Sequence, residues 1–443
     1  MTPLGWIGIV RLGLVQTALG AIVVLTTSTL NRVMVVELAL PATLPGLLVG
    51  LHYAVQLLRP RMGYGSDVSG RVTPWIAGGM LVLAVGGTAA AIATAWMAAR
   101  PASGIALAVL AFLLVGVGVG AAGTSLLVLL AKRVAPARRP AAATIVWLMM
   151  IAGFAVTAGM AGRLLDPFSP ARLVAVAAGV SAAALLVALL ALWGVEGPGR
   201  VERSDGPVKD DVPFRQALAQ VWSEPQARRF AVFVFVSMLA YSAQDLILEP
   251  FAGVVFGLTP GESTSLSGVQ HGGVLAGMLL VALLGTAIGG PRLGSLRGWT
   301  VCGCIASAAA LSGLAVAGSV GPAWPLRASV FVLGVANGAF AVAAIGSMMG
   351  LAGSGRASRE GTRMGLWGAA QAVAFGLGGL AGTVAVDLAR LALGSPVTAY
   401  SLVFAAQAAL FLLSAWLAAR VGSADRPTLL VIAGRPVVRS GGG

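Results

Sequence analysis

The polar stretch 201–211, which reads VERSDGPVKDD, decides the fold because it interrupts an otherwise apolar chain near its middle. It lies within a hydrophilic segment, Gly194–Arg229, with about six apolar segments before it and about six after it. Each segment has about 20 residues, the length at which an α-helix crosses the hydrocarbon layer of a bilayer. The pattern therefore predicts an all-α polytopic membrane protein with about twelve transmembrane helices in two pseudo-symmetric six-helix bundles.

The composition supports this class of protein. Of the 443 residues, 58% are hydrophobic and only 10% are charged, and the mean hydropathy is +0.92. A soluble chain of this length could not bury so much apolar surface in its cores. The net charge of +14 comes from basic residues that lie between the apolar segments, so we expect no nucleic-acid partner. The N-terminus has no basic region followed by a small-residue cleavage site, and we expect no cleaved signal peptide.

The apolar runs predict both the helices and the domain organisation. We expect an N-terminal bundle at 1–193, a cytoplasmic linker at 194–229, a C-terminal bundle at 230–420 and a cytoplasmic tail at 421–443. The predicted helices lie at about 10–31, 42–59, 73–97, 104–131, 142–163, 172–193, 230–251, 264–284, 299–318, 326–352, 364–389 and 398–420.

The basic residues predict the orientation in the membrane. One set of loops, which includes both termini and the linker, holds 23 of the 29 lysines and arginines. The other side receives only Arg32, Arg100, Arg163, Arg172, Arg327 and Arg390. Because basic loops are retained on the cytoplasmic side, we expect both termini and the linker to be cytoplasmic.

The loop between the second and third helices carries the spacing G-x-x-x-D-x-x-G-R, formed by Gly63, Asp67, Gly70 and Arg71. This resembles the conformational loop motif of the major facilitator superfamily. Gly63 permits a tight turn, while Asp67 is placed to cap the third helix and to pair with an arginine. The alternative is a solvated turn that only connects two helices.

Two polar clusters fall at equivalent places in the two halves. Arg32 and Glu37 follow the first predicted helix, and Asp245 and Glu249 lie in the seventh. Ionisable groups at membrane depth are costly, so they usually face a partner, a cavity or a ligand. Structural pairing near the outer interface is the alternative to a functional role.

The only two histidines, His52 and His271, also form a matched pair, in the second and eighth helices. A hydrogen bond between helices explains each of them most simply. The alternative is axial ligation of a Mg-porphyrin, because a neutral imidazole can fill an open metal position. Cys302 and Cys304 have no ligand neighbours, so we expect no free-metal site. No phosphate-binding loop is found either, and we expect no nucleotide.

Three stretches together resemble the PucC family of photosynthetic bacteria, a branch of the major facilitator superfamily. They are RLGLVQ and LNRVMVVEL within 11–38, QDLILEPF at 244–251, and GTRMGLWGAAQ at 361–371. Within the family, LHYAVQ at 51–56 is most similar to the branch associated with bacteriochlorophyll biosynthesis genes.

This resemblance implies a non-enzymatic assembly factor for light-harvesting complexes, located in the photosynthetic intracytoplasmic membrane. It implies bacteriochlorophyll as cargo, with His52 and His271 as candidate axial ligands to its Mg and with Asn31 and Gln244 as candidate pigment contacts. The implied partners are membrane lipid, antenna polypeptides or the photosynthetic core complex, and bacteriochlorophyll synthase.

Three other functions remain open from the sequence. A proton-coupled transporter of a small solute would use Glu37, Asp245 or Glu249 as coupling carboxylates. A structural scaffold that no longer alternates between two open states is the second alternative. An enzyme is the least favoured, because no nucleophile–base–orienter set can be assembled from these residues.

Overall fold

The structure is a computed structural model that describes residues 4–59, 71–135, 138–196, 214–284, 295–352 and 360–421. Within these ranges the secondary structure is entirely helical, which confirms the all-α prediction. Eleven of the described helices are long and apolar enough to cross a membrane. The remaining predicted span corresponds to Thr43–Leu58, which is apolar but shorter.

We number the spanning helices in chain order. In the first half they are α1 Trp6–Glu37, α2 Thr43–Leu58, α3 Thr73–Met97, α4 Pro101–Arg133, α5 Arg139–Leu165 and α6 Pro170–Leu192. In the second half they are α7 Pro225–Phe256, α8 Pro260–Leu283, α9 Leu296–Val320, α10 Leu326–Ala352, α11 Glu360–Leu393 and α12 Pro396–Arg420.

Several helices extend beyond the predicted spans, the first and the seventh by five residues or more at one end. The first continues from 31 to Glu37, because the polar residues after Leu25 remain helical in two wider π-helical turns, Leu25–Thr29 and Val33–Glu37. The seventh begins at Pro225, five residues before the predicted start at 230, with proline in the first turn, where its missing N–H is not needed.

The predicted linker also contains a helix that the hydropathy did not show. This short helix, Phe214–Ser223, ends two residues before α7 begins. Its residue Val221 is fully buried in the core of the second half, whereas Trp222 is about half exposed. The last part of the linker therefore belongs structurally to the second half.

Each half has its own apolar core. One core joins α7 to the later helices through residues such as Phe251, Phe340 and Phe411, and another joins α1 to α3, α4, α5 and α6. Small residues let helices within a half approach closely. A methyl group on Gly338 of α10, for example, would lie 2.0 Å from the carbonyl oxygen of Val274 on α8. We call the end that holds Arg32 and Thr259 the outer end, following the predicted orientation.

At the opposite, inner end, carboxylates fasten helices to neighbours in the same half. The Glu196 side chain, just after α6, accepts hydrogen bonds from the backbone N–H groups of Val72 and Thr73 at 2.6 and 2.9 Å. Burial raises the pKa of Glu196, but these hydrogen bonds, one from the Thr73 side chain and the charge of Arg71 outweigh it, so the pKa is lowered overall. Glu196 thus caps the start of α3, while Asp67, for which we predicted a capping role, lies outside the described residues.

The second half has a corresponding fastening. The guanidinium of Arg363 on α11 forms two parallel hydrogen bonds, at 2.8 and 2.9 Å, with the carboxylate of Glu224, which precedes α7. One turn further along α11, the indole nitrogen of Trp367 donates to the carbonyl of Ala227 at 3.1 Å. These two residues belong to the motif at 361–371, so part of that motif holds α11 against the start of α7.

Candidate functional site

The predicted polar clusters meet at the seam between the two halves, near the outer end. The seam is formed where α1, α2 and α5 of the first half contact α7, α8 and α11 of the second. The π-helical turns of α1 lie here and bring Ser28, Thr29 and Arg32 into one buried region. Such turns occur frequently at functional sites.

Glu249 of α7 lies at the centre of the seam and is 1% exposed. Its Oε1 accepts a hydrogen bond from Ser28 of α1 at 2.5 Å, and the Ser28 hydroxyl also lies 3.4 Å from that of Ser267 on α8. Close by, Thr264 of α8 donates to Thr29 at 3.1 Å. Oε2 of Glu249 has no hydrogen-bond partner among the described residues. One carboxylate oxygen is therefore held by the other half, and the second remains available to a proton or a ligand.

Arg32 is buried beside this carboxylate and is shared between the halves. It pairs with Glu37 on its own helix and donates to the carbonyl of Leu258 in the second half at 2.6 Å. Gly253 of α7 makes the approach possible, since a methyl group there would lie 3.0 Å from an Arg32 nitrogen. The pairing of Arg32 with Glu37 matches the structural alternative in the sequence analysis. Arg32 also joins the two halves through its hydrogen bond to Leu258.

The predicted pigment contacts Asn31 and Gln244 are both buried, but they differ in their surroundings. The Asn31 amide nitrogen donates to the carbonyl of Leu246 in the other half at 2.5 Å. Neither polar atom of the Gln244 amide has a partner among the described residues. Asn31 therefore contributes to the seam, whereas nothing in the described structure assigns a contact to Gln244.

Asp245 and Glu249 both lie on α7, but their carboxylates have different hydrogen-bond partners. Its carboxylate accepts a hydrogen bond from Gln270 of α8 at 3.3 Å. Nearby, an aromatic group crosses the seam: Phe375 of α11 packs against Tyr53 of α2 and Tyr241 of α7, with ring centroids 5.6 and 6.0 Å apart. This part of the seam offers flat aromatic surface next to a buried acid, which suits a large planar molecule with polar substituents.

His271 of α8 lies at the seam, where its ring packs edge-on against Phe154 of α5 with centroids 5.0 Å apart. Its Nδ1 is 2.9 Å from the backbone carbonyl of Ser267. A carbonyl only accepts, so Nδ1 must carry the proton, and in the neutral ring the lone pair lies on Nε2. A backbone carbonyl that fixes the tautomer in this way is typical of histidines that bind metals.

His52 of α2 is surrounded differently. Its Nε2 is 2.9 Å from the side-chain nitrogen of Gln56, and the Gln56 oxygen in turn accepts from Arg59. The amide therefore donates to Nε2 and uses the lone pair of the ring. Nδ1 is buried without a partner among the described residues. Ligation of a metal by Nε2 of His52 would first have to break this chain of hydrogen bonds.

The loop motif is only partly described. Arg71 is exposed at the start of α3, next to Glu196, while Gly63, Asp67 and Gly70 lie outside the described residues. The prediction that this loop acts in a conformational change therefore stays a prediction.

Sequence reasoning missed two carboxylates that cross the seam at its outer end. Asp387 of α11 accepts hydrogen bonds from the N-terminus of α2, and Asp166 after α5 accepts one from Thr259 before α8. A comparison of the two halves could have found them, because α5 and α11 are equivalent fifth helices and each has an acid near its outer end. Hydropathy alone treats such acids as ordinary loop or helix-end residues.

The two six-helix halves joined at a polar seam define a membrane protein with the major facilitator fold. Solved structures share this fold. A bacterial homolog of the human lysosomal transporter Spinster, inward-facing and unoccupied, is 15% identical with a TM-score of 0.66, and the match covers 94% of this chain and 96% of that one. The peptide transporter POT in complex with sulfate is 14% identical with a TM-score of 0.67, covering 95% and 97%.

The chain belongs to the PUCC protein family, whose sequence model matches residues 29–425. It is 54% identical over 433 residues to the "Bacteriochlorophyll synthase 44.5 kDa chain" of Rhodobacter capsulatus, a match that covers 96% of this chain and 99% of the relative. It is 29% identical over 430 residues to "Protein PucC" of the same organism, covering 92% and 90%. These matches confirm the family resemblance seen in the sequence.

Proposed function

We propose that the protein is an assembly factor of the photosynthetic membrane that binds bacteriochlorophyll and delivers it to antenna polypeptides. Membership of the PUCC family supports the link to light harvesting, and the name of the 54% identical relative refers to bacteriochlorophyll. The observation that carries the proposal is the 2.9 Å contact between Nδ1 of His271 and the Ser267 carbonyl. This contact places the proton on Nδ1 and the lone pair on Nε2, at a seam next to aromatic side chains and with no donor to Nε2 among the described residues.

In this proposal Nε2 of His271 would hold the pigment, which would supply a Mg ion that accepts a nitrogen ligand. Ser267 orients the imidazole, and the edge of the ring is held by Phe154. The aromatic group formed by Tyr53, Tyr241 and Phe375 provides flat surface for the cargo. His52 has no ligand role here, because Gln56 uses its lone pair.

The decisive experiment is an absorption spectrum of the protein purified gently from a pigment-producing host. We expect chlorin bands that co-purify with the protein. His271→Ala should lower the pigment-to-protein ratio about tenfold or more, because an axial ligand is lost. His52→Ala is the matched control, a buried histidine in the equivalent helix, and should leave the ratio unchanged. An unchanged ratio in His271→Ala would remove the ligand assignment.

Delivery requires partners, which the same preparation can reveal. We expect antenna polypeptides, core-complex subunits or bacteriochlorophyll synthase to co-purify with the tagged chain. We further propose that the chain itself is not an enzyme and that it acts beside a synthase. Bacteriochlorophyll synthesis by the isolated chain, with no other subunit present, would contradict this part of the proposal.

A second candidate function is proton-coupled transport of a small solute. It is favoured by the buried Glu249, whose Oε2 is free of partners among the described residues, and by the transporter fold. Uptake driven by a proton gradient in liposomes with pigment-free protein, abolished in Glu249→Gln, would establish this alternative. We expect no such uptake.

A further inference from the structure

The outer ends of the two halves are joined by two carboxylates, each of which sits on a helix N-terminus of the other half. Asp387 of α11 accepts from the backbone N–H groups of Ala42 and Thr43 at 3.0 and 2.7 Å and from the Thr43 hydroxyl at 2.7 Å. The first N–H groups of a helix have no partner within the helix. Ala42 is at the capping position of α2, and its methyl side chain cannot accept a hydrogen bond from these N–H groups. The cap of α2 therefore comes from the other half.

In the second contact the first half provides the carboxylate and the second half provides the helix N-terminus. Asp166, just after α5, accepts a hydrogen bond at 3.1 Å from the hydroxyl of Thr259, the capping residue of α8. The carboxylate lies directly over the first turn of that helix, since a methyl group on Gly261 would be 2.3 Å from its Oδ2. A negative charge is stabilised at this position by the partial positive charge of the helix N-terminus.

The two carboxylate contacts occupy equivalent positions in the pseudo-symmetric fold. The helices involved are the fifth of one half and the second of the other, in both cases. One turn inward from each acid the helices touch closely: a methyl group on Gly162 would lie 2.6 Å from the carbonyl of Gly261, and one on Gly46 would lie 2.0 Å from the Thr383 hydroxyl. Asp166 follows Gly162 as Asp387 follows Thr383, with the same four-residue spacing.

We propose that Asp166 and Asp387 form a two-part latch that holds the outer ends of the halves together, so that the seam opens only when both carboxylates leave the helix N-termini of the other half. Separation of the halves would leave the N-terminus of α2 without acceptors. The N-terminus of α8 would remain capped, because Thr259 and Glu262 of the second half satisfy each other in a capping box. Asp387 is therefore the stronger part of the latch and Asp166 the weaker part. This proposal does not depend on the identity of the cargo.

The latch can be tested by labelling a cysteine behind it. In a parent with Cys302→Ser and Cys304→Ala, the reporter is Thr264→Cys, which is fully buried one turn inside Gly261. An impermeant maleimide is added from the side on which Ser103→Cys, at an exposed position, reacts. Ala317→Cys, fully buried in the second half, reports unfolding.

We expect Asp387→Ala to raise the labelling rate of the reporter about tenfold, because alanine removes the acceptors that cap α2. Asp166→Ala should raise the rate less, and the double variant more than either. Glu262→Ala is the matched control: it removes a carboxylate of the same capping site that stays within one half, and it should leave the rate unchanged. Equal rates in the parent and both aspartate variants, or an equal rise in Glu262→Ala, would overturn the latch. If Ala317→Cys also reacts in Asp387→Ala, the result at the exposed Asp166 decides, and an unchanged rate in Asp166→Ala overturns the proposal.

Discussion

The outer and inner ends of the molecule are fastened in different ways. At the outer end, the hydrogen bonds of Asp387, Glu249 and Arg32 cross from one half to the other. At the inner end, the carboxylates of Glu196 and Glu224 bind helices of their own half. The halves are thus internally braced at one end and mutually joined at the other.

This difference indicates which motions the fold permits. A half that is braced internally can move as one body, and contacts that cross the seam decide where the two bodies meet. Breaking an inner contact should therefore lower the stability of a half. Breaking an outer contact should change how often the seam opens while the halves remain folded. The predictions below are ordered by expected size and are chosen to separate these two outcomes.

The largest effect is expected from Arg363→Ala at the inner end. Arg363 is 1% exposed, and its loss removes both hydrogen bonds to Glu224. Breaking a buried ion pair of this kind costs on the order of 3 kcal/mol. Thermal unfolding in mild detergent, followed by tryptophan fluorescence, measures the change. The control is Arg297→Ala, which removes an exposed arginine that bonds the carbonyl of Ala419, and should cost about 0.5 kcal/mol or less. Similar losses in the two variants would show that the buried pair does not brace the second half.

Two glycine substitutions compare a contact within one half with a contact across the seam. Gly338→Ala places a methyl group against the Val274 carbonyl within the second half, and it should lower the free energy of unfolding by about 2 kcal/mol. Gly162→Ala places one against the Gly261 carbonyl across the seam. Because the halves can separate there, we expect a smaller loss of stability.

The same pair of variants also has a readout of seam opening. Gly162→Ala should raise maleimide labelling of a Thr264→Cys reporter, whereas Gly338→Ala should not. Equal labelling in both, or a larger loss of stability in Gly162→Ala than in Gly338→Ala, would contradict the distinction between contacts within a half and contacts across the seam.

The sequence was sufficient to predict the fold because its signals are collective. Twelve apolar runs and one polar interruption at 201–211 set the architecture, and no single residue decides it. The matched positions of Glu37 and Glu249 also led to the seam. Equivalent places in two pseudo-symmetric halves face each other across the axis, so a polar residue in one predicts a polar neighbourhood for the other.

What could not be predicted are the partners of individual side chains. His52 and His271 occupy equivalent helices, and only the neighbours Gln56 and the Ser267 carbonyl distinguish their lone pairs. Nothing in the sequence indicated that Glu196, more than a hundred residues away in the chain, accepts hydrogen bonds at the start of α3. Contacts between distant segments depend on helix rotation and register, which hydropathy does not specify.

The smallest effect is expected at Glu196 and depends on pH. Its pKa is lowered because hydrogen bonds from Val72 and Thr73 and the charge of Arg71 outweigh burial, so the folded state favours the ionised form. The stability from this carboxylate is then fully present above its ordinary pKa of 4.5 and is lost as the pH falls through the lowered value. Glu196→Gln should be less stable than the parent near neutral pH, and the two should converge on acidification. A constant difference between parent and Glu196→Gln at all pH values would mean that the charge of this carboxylate does not brace the inner end of the first half.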